Sequence, residues 1–262
     1  PAEQEHKRYQ LMNILITNDD GISSEGITVL ERELKKEHDV WVVAPDRERS
    51  AVSHGITFRE PVKFHRISSR KYACSGTPAD CVLYSCHGAV DVQFDIVISG
   101  INRGENIGTD ILYSGTVAAA RQAVLQGIPA VAVSSGAAEP AYEAAAVLVA
   151  SQIELLRTLS DARRIININV PDGYLLDSGM AVTVPCIKGG GNSVDPYYRN
   201  EHESYYFLSE FRDETIEDRR VDSDAEALKR GIASITPLEV QPRADTLGLR
   251  HCSSWFPRLE QT

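Results

Sequence analysis

No run of apolar residues in the 262-residue sequence approaches the roughly 20 needed to cross a bilayer. The opening segment PAEQEHKRYQL is polar and lacks the apolar centre of a secretory signal. Met12 opens the first strand-like run, so residues 1–11 are expected to be a tag or a loose extension outside the fold. Cysteine is sparse and unpatterned. Cys74, Cys81, Cys86, Cys186 and Cys252 are odd in number and no pair has the CxxC spacing, which argues against a zinc knuckle or a disulfide framework and fits a reducing, cytoplasmic setting. Positive charge is in deficit. With 27 Lys and Arg against 37 Asp and Glu, the net charge of −10 argues against binding nucleic-acid polymers or anionic membranes. An acidic protein of this kind binds a phosphate only where a metal ion or local arginines reverse the field.

What is present is an alternation of strand-like and helix-like segments. The run MNILIT (Met12–Thr17) is short and β-branched and is followed by Asn-Asp-Asp-Gly, so it reads as a buried strand. A helix is expected next, with Ile27, Leu30 and Leu34 on one face and Lys35 and Lys36 in its last turn. Val40–Ala44 is a second buried strand, stopped by Pro45, and VKFHRI with KYACS reads as a hairpin or edge strands. GTPADCVLYSCHGA carries helix-start chemistry: Thr77 as N-cap, Pro78 at the first position and Asp80 near the positive end of the dipole. Asp95–Ser99 is a further strand, followed by a Gly- and Asn-rich loop and a helix from about Ser114 to Gly127. AVAVSS, an Ala- and Leu-rich helix through Leu159, and IININV continue the pattern.

This order predicts an α/β fold of Rossmann-like, doubly wound type with a mostly parallel sheet. The core is expected over residues 12–172. Residues 173–262 are expected to form a C-terminal arm with a protruding hairpin at GGGNSVDPYYRNEHESYYFLSE, a short helix in DRRVDSDAEALKRG and a returning strand GIASITPL.

Open parallel sheets bind ligands outside the carboxyl ends of their strands, where strand order reverses. Three oxygen-rich loops leave strands at that end: Asn18-Asp19-Asp20-Gly21, Pro45 to Ser50, and Ser99 to Gly104. Adjacent acids repel, and a turn needs only one of them. A hard divalent cation would offset that repulsion, drawing on Asp19 and Asp20 for charge and on Asn102 and a serine such as Ser50 for neutral oxygens. Each motif alone has a blander reading, as a turn, a cap or a solvated loop. The coincidence of three loops on one rim favours the cation.

The surroundings suit phosphate chemistry. Ser114-Gly115-Thr116 and Gly76-Thr77-Pro78 both open helices, whose free N–H groups attract anions. Arg103 stands beside Asn102 with a fork that grips phosphate oxygens. Asn18, Arg103, Gly104, Ser114, Gly115, Thr116 and Thr77 are therefore the candidates for substrate binding. His54 and His87 have no triad-like partners and read as structural or surface residues.

Seven segments in order, ILITNDDGI, VVAPDRERSA, GTPADCV, SGINRGENIGTDILYSGTVAAA, GIPAVAVSS, NINVP and GIASITPL, resemble the stationary-phase survival protein family SurE. The resemblance runs from Met12 to about Leu238. It implies a metal-dependent 5'/3'-nucleotidase acting on nucleoside monophosphates, one divalent ion per subunit (magnesium or manganese), and homodimers or homotetramers built with C-terminal arms. Carried over residue by residue, it assigns the ion to Asp19, Asp20, Ser50 and Asn102. The chain departs from the family's Ser-Ile-Thr pattern at His54-Gly55-Ile56-Thr57, and Gly189–Tyr206 matches loosely.

The expected activity is hydrolysis of nucleoside monophosphates, with short polyphosphate as a side substrate. A metal-activated water attacks, and Asp19 or Asp20 orients it or takes its proton. Helix starts near Ser114 and Thr77, with Arg103, stabilise the spreading negative charge. Three rivals fit less well. Aspartyl-phosphate phosphatases use an acid-x-acid spacing, absent here. A receiver-like, non-enzymatic magnesium-binding domain needs an Asp at the end of a central strand, where DIVISGIN offers Ser99 and Asn102. A dinucleotide-binding module needs GxGxxG in the first loop.

Overall fold

The computed structural model describes residues 11–136, 139–189, 193–209, 215–216 and 220–242. Residues 1–10 of the expected extension, Cys252 and the end of the expected arm lie outside the described residues.

The first strand, β1 (Asn13–Thr17), is buried on both faces, as its unbroken apolar run requires. The helix α1 (Glu25–Leu34) follows and buries Ile27, Leu30 and Leu34, the i, i+3, i+7 set. It closes earlier than expected: Lys35 is its C-cap rather than part of its last turn. The strand β2 (Asp39–Pro45) leads to an antiparallel edge pair, β3 (Phe64–Ser68) and β4 (Lys71–Cys74). Next, α2 (Pro78–Tyr84) starts from a capping box in which the Thr77 hydroxyl accepts from the Asp80 N–H while the Asp80 carboxylate accepts from the Thr77 N–H.

The strand β5 (Ile96–Arg103) is longer than the DIVIS segment suggested, because its pairing with β6 (Ala130–Ser135) resumes after an irregularity between Ser99 and Asn102. Asn102 and Arg103 thus sit on a strand end, not in a free loop. Between these strands lies α3 (Gly115–Leu125), and α4 (Glu139–Leu159) and β7 (Arg164–Val170) follow. Further along the described residues come β8 (Met180–Val182), β9 (Lys188–Gly189), the hairpin of β10 (Ser193–Arg199) and β11 (Ser204–Ser209), β12 (Thr215–Ile216), α5 (Asp224–Lys229) and β13 (Ala233–Glu239).

Nine strands form one sheet in the order β3-β4-β2-β1-β5-β6-β7-β13-β8, parallel except at β3–β4 and β7–β13. The mostly parallel α/β expectation is borne out. Ile14 and Ile16 point to the face covered by α1 and α4, whereas Leu15 points to the face covered by α2 and α3. From β1 the chain winds outward to β2 and β4 on one side and, through β5, to β6 and β7 on the other. The reversal of strand order therefore falls between the carboxyl ends of β1 and β5, the place where such sheets bind ligands.

Candidate active site

The turn after β1 is held by Asn18. Its Oδ1 accepts from the Gly21 N–H at 3.1 Å, and its Nδ2 donates to the Gly21 carbonyl at 3.1 Å and to Ser24 Oγ at 2.7 Å. Asn18 is fully buried, so it shapes the turn instead of facing a ligand. Ser24, the N-cap residue of α1, spends its hydroxyl on Asn18 and caps no helical N–H. Backbone bonds from Ile22 to Pro45 (2.8 Å) and from Arg49 to Asp19 (2.7 Å) tie this turn to the loop after β2.

Asp19 is buried at 4% exposure, and the start of α3 holds it. Thr116 donates its hydroxyl to Oδ1 at 2.5 Å and its N–H to Oδ2 at 3.1 Å. A methyl group at Gly115 would lie 2.8 Å from Asp19 Cβ and 3.1 Å from Pro78 Cγ, so only glycine lets the helix end come this close. The helix N-terminus that the sequence offered to a phosphate is thus turned on the protein's own carboxylate, for the same dipolar reason. Burial raises the Asp19 pKa against these hydrogen bonds.

Asp20 reaches the neighbouring strand, where its Oδ2 accepts from the Arg103 N–H at 3.2 Å. Burial, reinforced by the charge of Asp19, pushes its pKa up to about 6. Asn102 donates Nδ2 to the Gly104 carbonyl at 2.9 Å, which leaves its Oδ1 turned toward Thr116 Oγ1, 3.5 Å away. Among the described residues neither Asp19 nor Asp20 forms an ion pair.

These groups open into a cleft of about 420 Å³ that gathers Asp19, Asp20, Ser50, Asn102, Arg103 and Ser114 from four different segments. Ser50 lies in an exposed loop and donates its hydroxyl to Glu48 Oε1 at 2.7 Å. Ser114 caps α3, accepting from the Val117 N–H at 3.0 Å. Gly104 donates its N–H to the Ser135 carbonyl. Thr77 is not among the cleft residues; its hydroxyl donates to the Gly55 carbonyl at 2.7 Å while capping α2. His54 and His87 each bond a glutamine, Gln122 at 2.9 Å and Gln126 at 2.6 Å.

The cleft is also lined by Glu48, Ala51, Asn106, Asp110, Tyr113 and Leu208, which sequence reasoning passed over. Asn106 is fixed by a buried amide cluster: its N–H donates to Asn169 Oδ1 at 2.7 Å and its Nδ2 to Ser134 Oγ at 2.8 Å. Three asparagines, Asn106, Asn167 and Asn169, falling in or beside strand ends were the available signal.

The residues present fit a hard divalent cation. The expected ligands Asp19, Asp20, Asn102 and Ser50 offer two carboxylates, one amide oxygen and one hydroxyl, and the cleft lining contains no cysteine or histidine. Two adjacent carboxylates, raised in pKa and without an ion pair among the described residues, are an arrangement that a bound cation would relieve. Among the described residues no three His, Cys, Asp or Glu side chains cluster to hold a metal, so any ion here depends on the neutral oxygens. No described helix is long and apolar enough to cross a membrane.

Known proteins resemble the chain closely. The sequence model of the survival protein SurE family matches residues 14–188. A 5'-nucleotidase SurE of Histophilus somni (strain 2336) is 40% identical over 235 residues, covering 89% of this chain and 94% of that protein. A 5'-nucleotidase SurE of Haemophilus influenzae (strain 86-028NP) is 42% identical over 238 residues, covering 87% and 91%. The crystal structure of the SurE protein from Aquifex aeolicus superposes with a TM-score of 0.78 at 30% identity, covering 93% of this chain and 99% of that one.

Proposed function

The chain belongs to the survival protein SurE family, and from that premise we propose that it is a nucleotidase releasing phosphate from nucleoside 5'-monophosphates with the help of a divalent ion. The observation that carries the reading is the cleft at the strand-order reversal, lined by Asp19, Asp20, Asn102 and Ser50, in which neither acid has an ion pair among the described residues. Action on 3'-phosphates and on short polyphosphate belongs to the same proposal. Magnesium or manganese is the ion whose oxygen preference suits these donors.

Asp19, Asp20, Asn102 and Ser50 would hold the ion. When bound, it would draw charge from a phosphate oxygen and lower the pKa of a nearby water. The residues divide the remaining work. Thr116 fixes Asp19 through both carboxylate oxygens, which makes it a rigid anchor. Asp20 is pinned through one oxygen by the Arg103 N–H, and the other is left to orient a water or accept its proton. The Arg103 side chain lines the cleft and supplies positive charge for the phosphate in an otherwise acidic protein. Ser114, at the cleft wall, offers a hydroxyl.

The test is phosphate release from AMP by protein stripped with EDTA and then supplied with magnesium or manganese. Activity that is lost on stripping and restored by the ion supports the reading. Full activity in EDTA ends it. A receiver-like protein would bind the ion and release no phosphate.

A further inference from the structure

The cleft lining is chemically mixed. Beside Asp19, Asp20, Asn102 and Arg103 it includes Ala51, Tyr113 and Leu208, which neither a metal ion nor a phosphate would engage. Tyr113 is 55% exposed and Leu208 65%, so neither side chain is needed to fill the core. Yet the Tyr113 backbone is fixed from both sides: its N–H donates to the Asp110 carbonyl at 2.9 Å, and its carbonyl accepts from the Ser53 N–H at 2.9 Å. The next residue, Ser114, lines the same cleft. An aromatic ring left in water on a fixed backbone, one residue from Ser114, is poised to pack against a flat partner.

Resting on the nucleotidase reading, we propose that Tyr113, with Leu208 lining the same cleft, is the platform on which the nucleobase stacks. A phosphorylated sugar without a base would leave Tyr113 in water. A nucleotide carries a group for Tyr113 as well as one for the acidic pair, and about 420 Å³ lies within the range of small-ligand pockets. Stacking on an aromatic face accepts every base and favours the larger overlap of a purine. The site is therefore broad in base choice, with purine nucleotides ahead of pyrimidine nucleotides.

The experiment compares AMP with ribose 5-phosphate, in the metal-loaded full chain, for the wild type, Tyr113→Ala and Tyr113→Phe. Tyr113→Ala should raise KM for AMP about tenfold, the range of a lost base–aromatic stack. Its kcat for AMP, and both constants for ribose 5-phosphate, should stay within about twofold of wild type. Tyr113→Phe keeps the ring and should behave as wild type. Calorimetry in EDTA gives a readout free of catalysis: adenosine should bind the wild type and fail to bind Tyr113→Ala. Leu208→Ala, on a separate segment, should weaken AMP in the same sense but less. An equal loss on both substrates, or unchanged AMP kinetics, overturns the platform while leaving the nucleotidase reading intact. A wild type that cleaves ribose 5-phosphate and not AMP overturns the nucleotidase reading itself, and the platform with it.

Discussion

Thr116 donates twice to Asp19, from its hydroxyl at 2.5 Å and from its backbone N–H at 3.1 Å, and so couples the start of α3 to the first acid of the cleft. The N–H bond survives any side-chain change; the hydroxyl bond does not. Thr116→Val is nearly isosteric and fully buried, and it should reduce metal affinity or activity by about 10–100-fold, the usual cost of losing an outer partner of a ligating carboxylate. Thr116→Ser restores the donor and should recover most of the loss. Titration of the stripped protein with manganese, read beside kcat/KM, checks both.

Asp20 gives a prediction in which stability and function move in opposite directions. Its folded pKa, about 6, lies above the ordinary value of 3.8. Below about pH 4 both folded and unfolded chains carry the proton. As pH rises toward 6 the unfolded chain loses it first, so the metal-free fold loses stability, and above about 6 the full cost is present. Solvent at the cleft mouth screens the pair, which leaves a cost of about 1–2 kcal/mol. Asp20→Asn should thus abolish most phosphatase activity while raising Tm in EDTA at pH 7 by about 2–4 °C. Its stability should also vary less between pH 4 and 6. A lower Tm in EDTA would contradict the electrostatic account.

Gly26 tests how α1 positions the far side of the site. A Cβ there would sit 2.1 Å from the Ile101 carbonyl oxygen, a backbone atom that moves only with β5. Asn102 and Arg103 follow directly. Gly26→Ala should cost about 1–3 kcal/mol by overpacking and should lower kcat/KM as well, because the strand end has to shift. Denaturant midpoints and kinetics on the same preparation separate the two effects. Unchanged values would mean that helix and strand part without strain.

Much of this geometry was legible in the chain because two local patterns coincided. The buried run before Asn18 and the run before Ser99 were recognisable as strands, and the rule for parallel sheets then put Asp19, Asp20 and Asn102 on one rim. The partner of Asp19 was harder to read. Thr116 in Ser-Gly-Thr looks like any first-turn residue, and only the folded helix axis reveals that its dipole faces an internal acid. The extension of β5 to Arg103 was hidden because Ser-Gly-Ile-Asn carries loop chemistry; pairing of Asn102 with Ser134 and Arg103 with Ser135 supplies what local propensity does not. Tyr113 and Leu208 were missed for a related reason, since residues far apart in sequence meet at the cleft only after folding.

The β10–β11 hairpin bears on assembly. Val194, Tyr197, Tyr198, Tyr205, Tyr206 and Phe207 are each at least half exposed, more apolar surface than a hairpin keeps in water without a partner. We propose that another subunit covers it, making a homodimer or homotetramer. Sedimentation of the intact chain should give a species larger than a monomer, and removal of residues 192–210 should give monomer. An intact chain that sediments as a monomer at micromolar concentration would overturn the proposal.

The last prediction distinguishes direct hydrolysis from a route through a phosphorylated enzyme. Attack by a carboxylate needs an oxygen free to approach phosphorus in line. Both oxygens of Asp19 are engaged by Thr116, and Asp20 is held through one oxygen by the Arg103 N–H. The other Asp20 oxygen would serve the ion or the attacking water, and a carboxylate bound to a cation is a poorer nucleophile than a water activated beside it. Direct attack by water is a single displacement and inverts configuration at phosphorus, whereas an aspartyl intermediate requires two displacements and retains it. Hydrolysis of an isotopically chiral phosphorothioate nucleotide in labelled water, with the product's configuration read out, should show inversion. Retention, or a phosphorylated aspartate trapped at position 19 or 20, would show that one carboxylate escapes its hydrogen bonds and acts as the nucleophile.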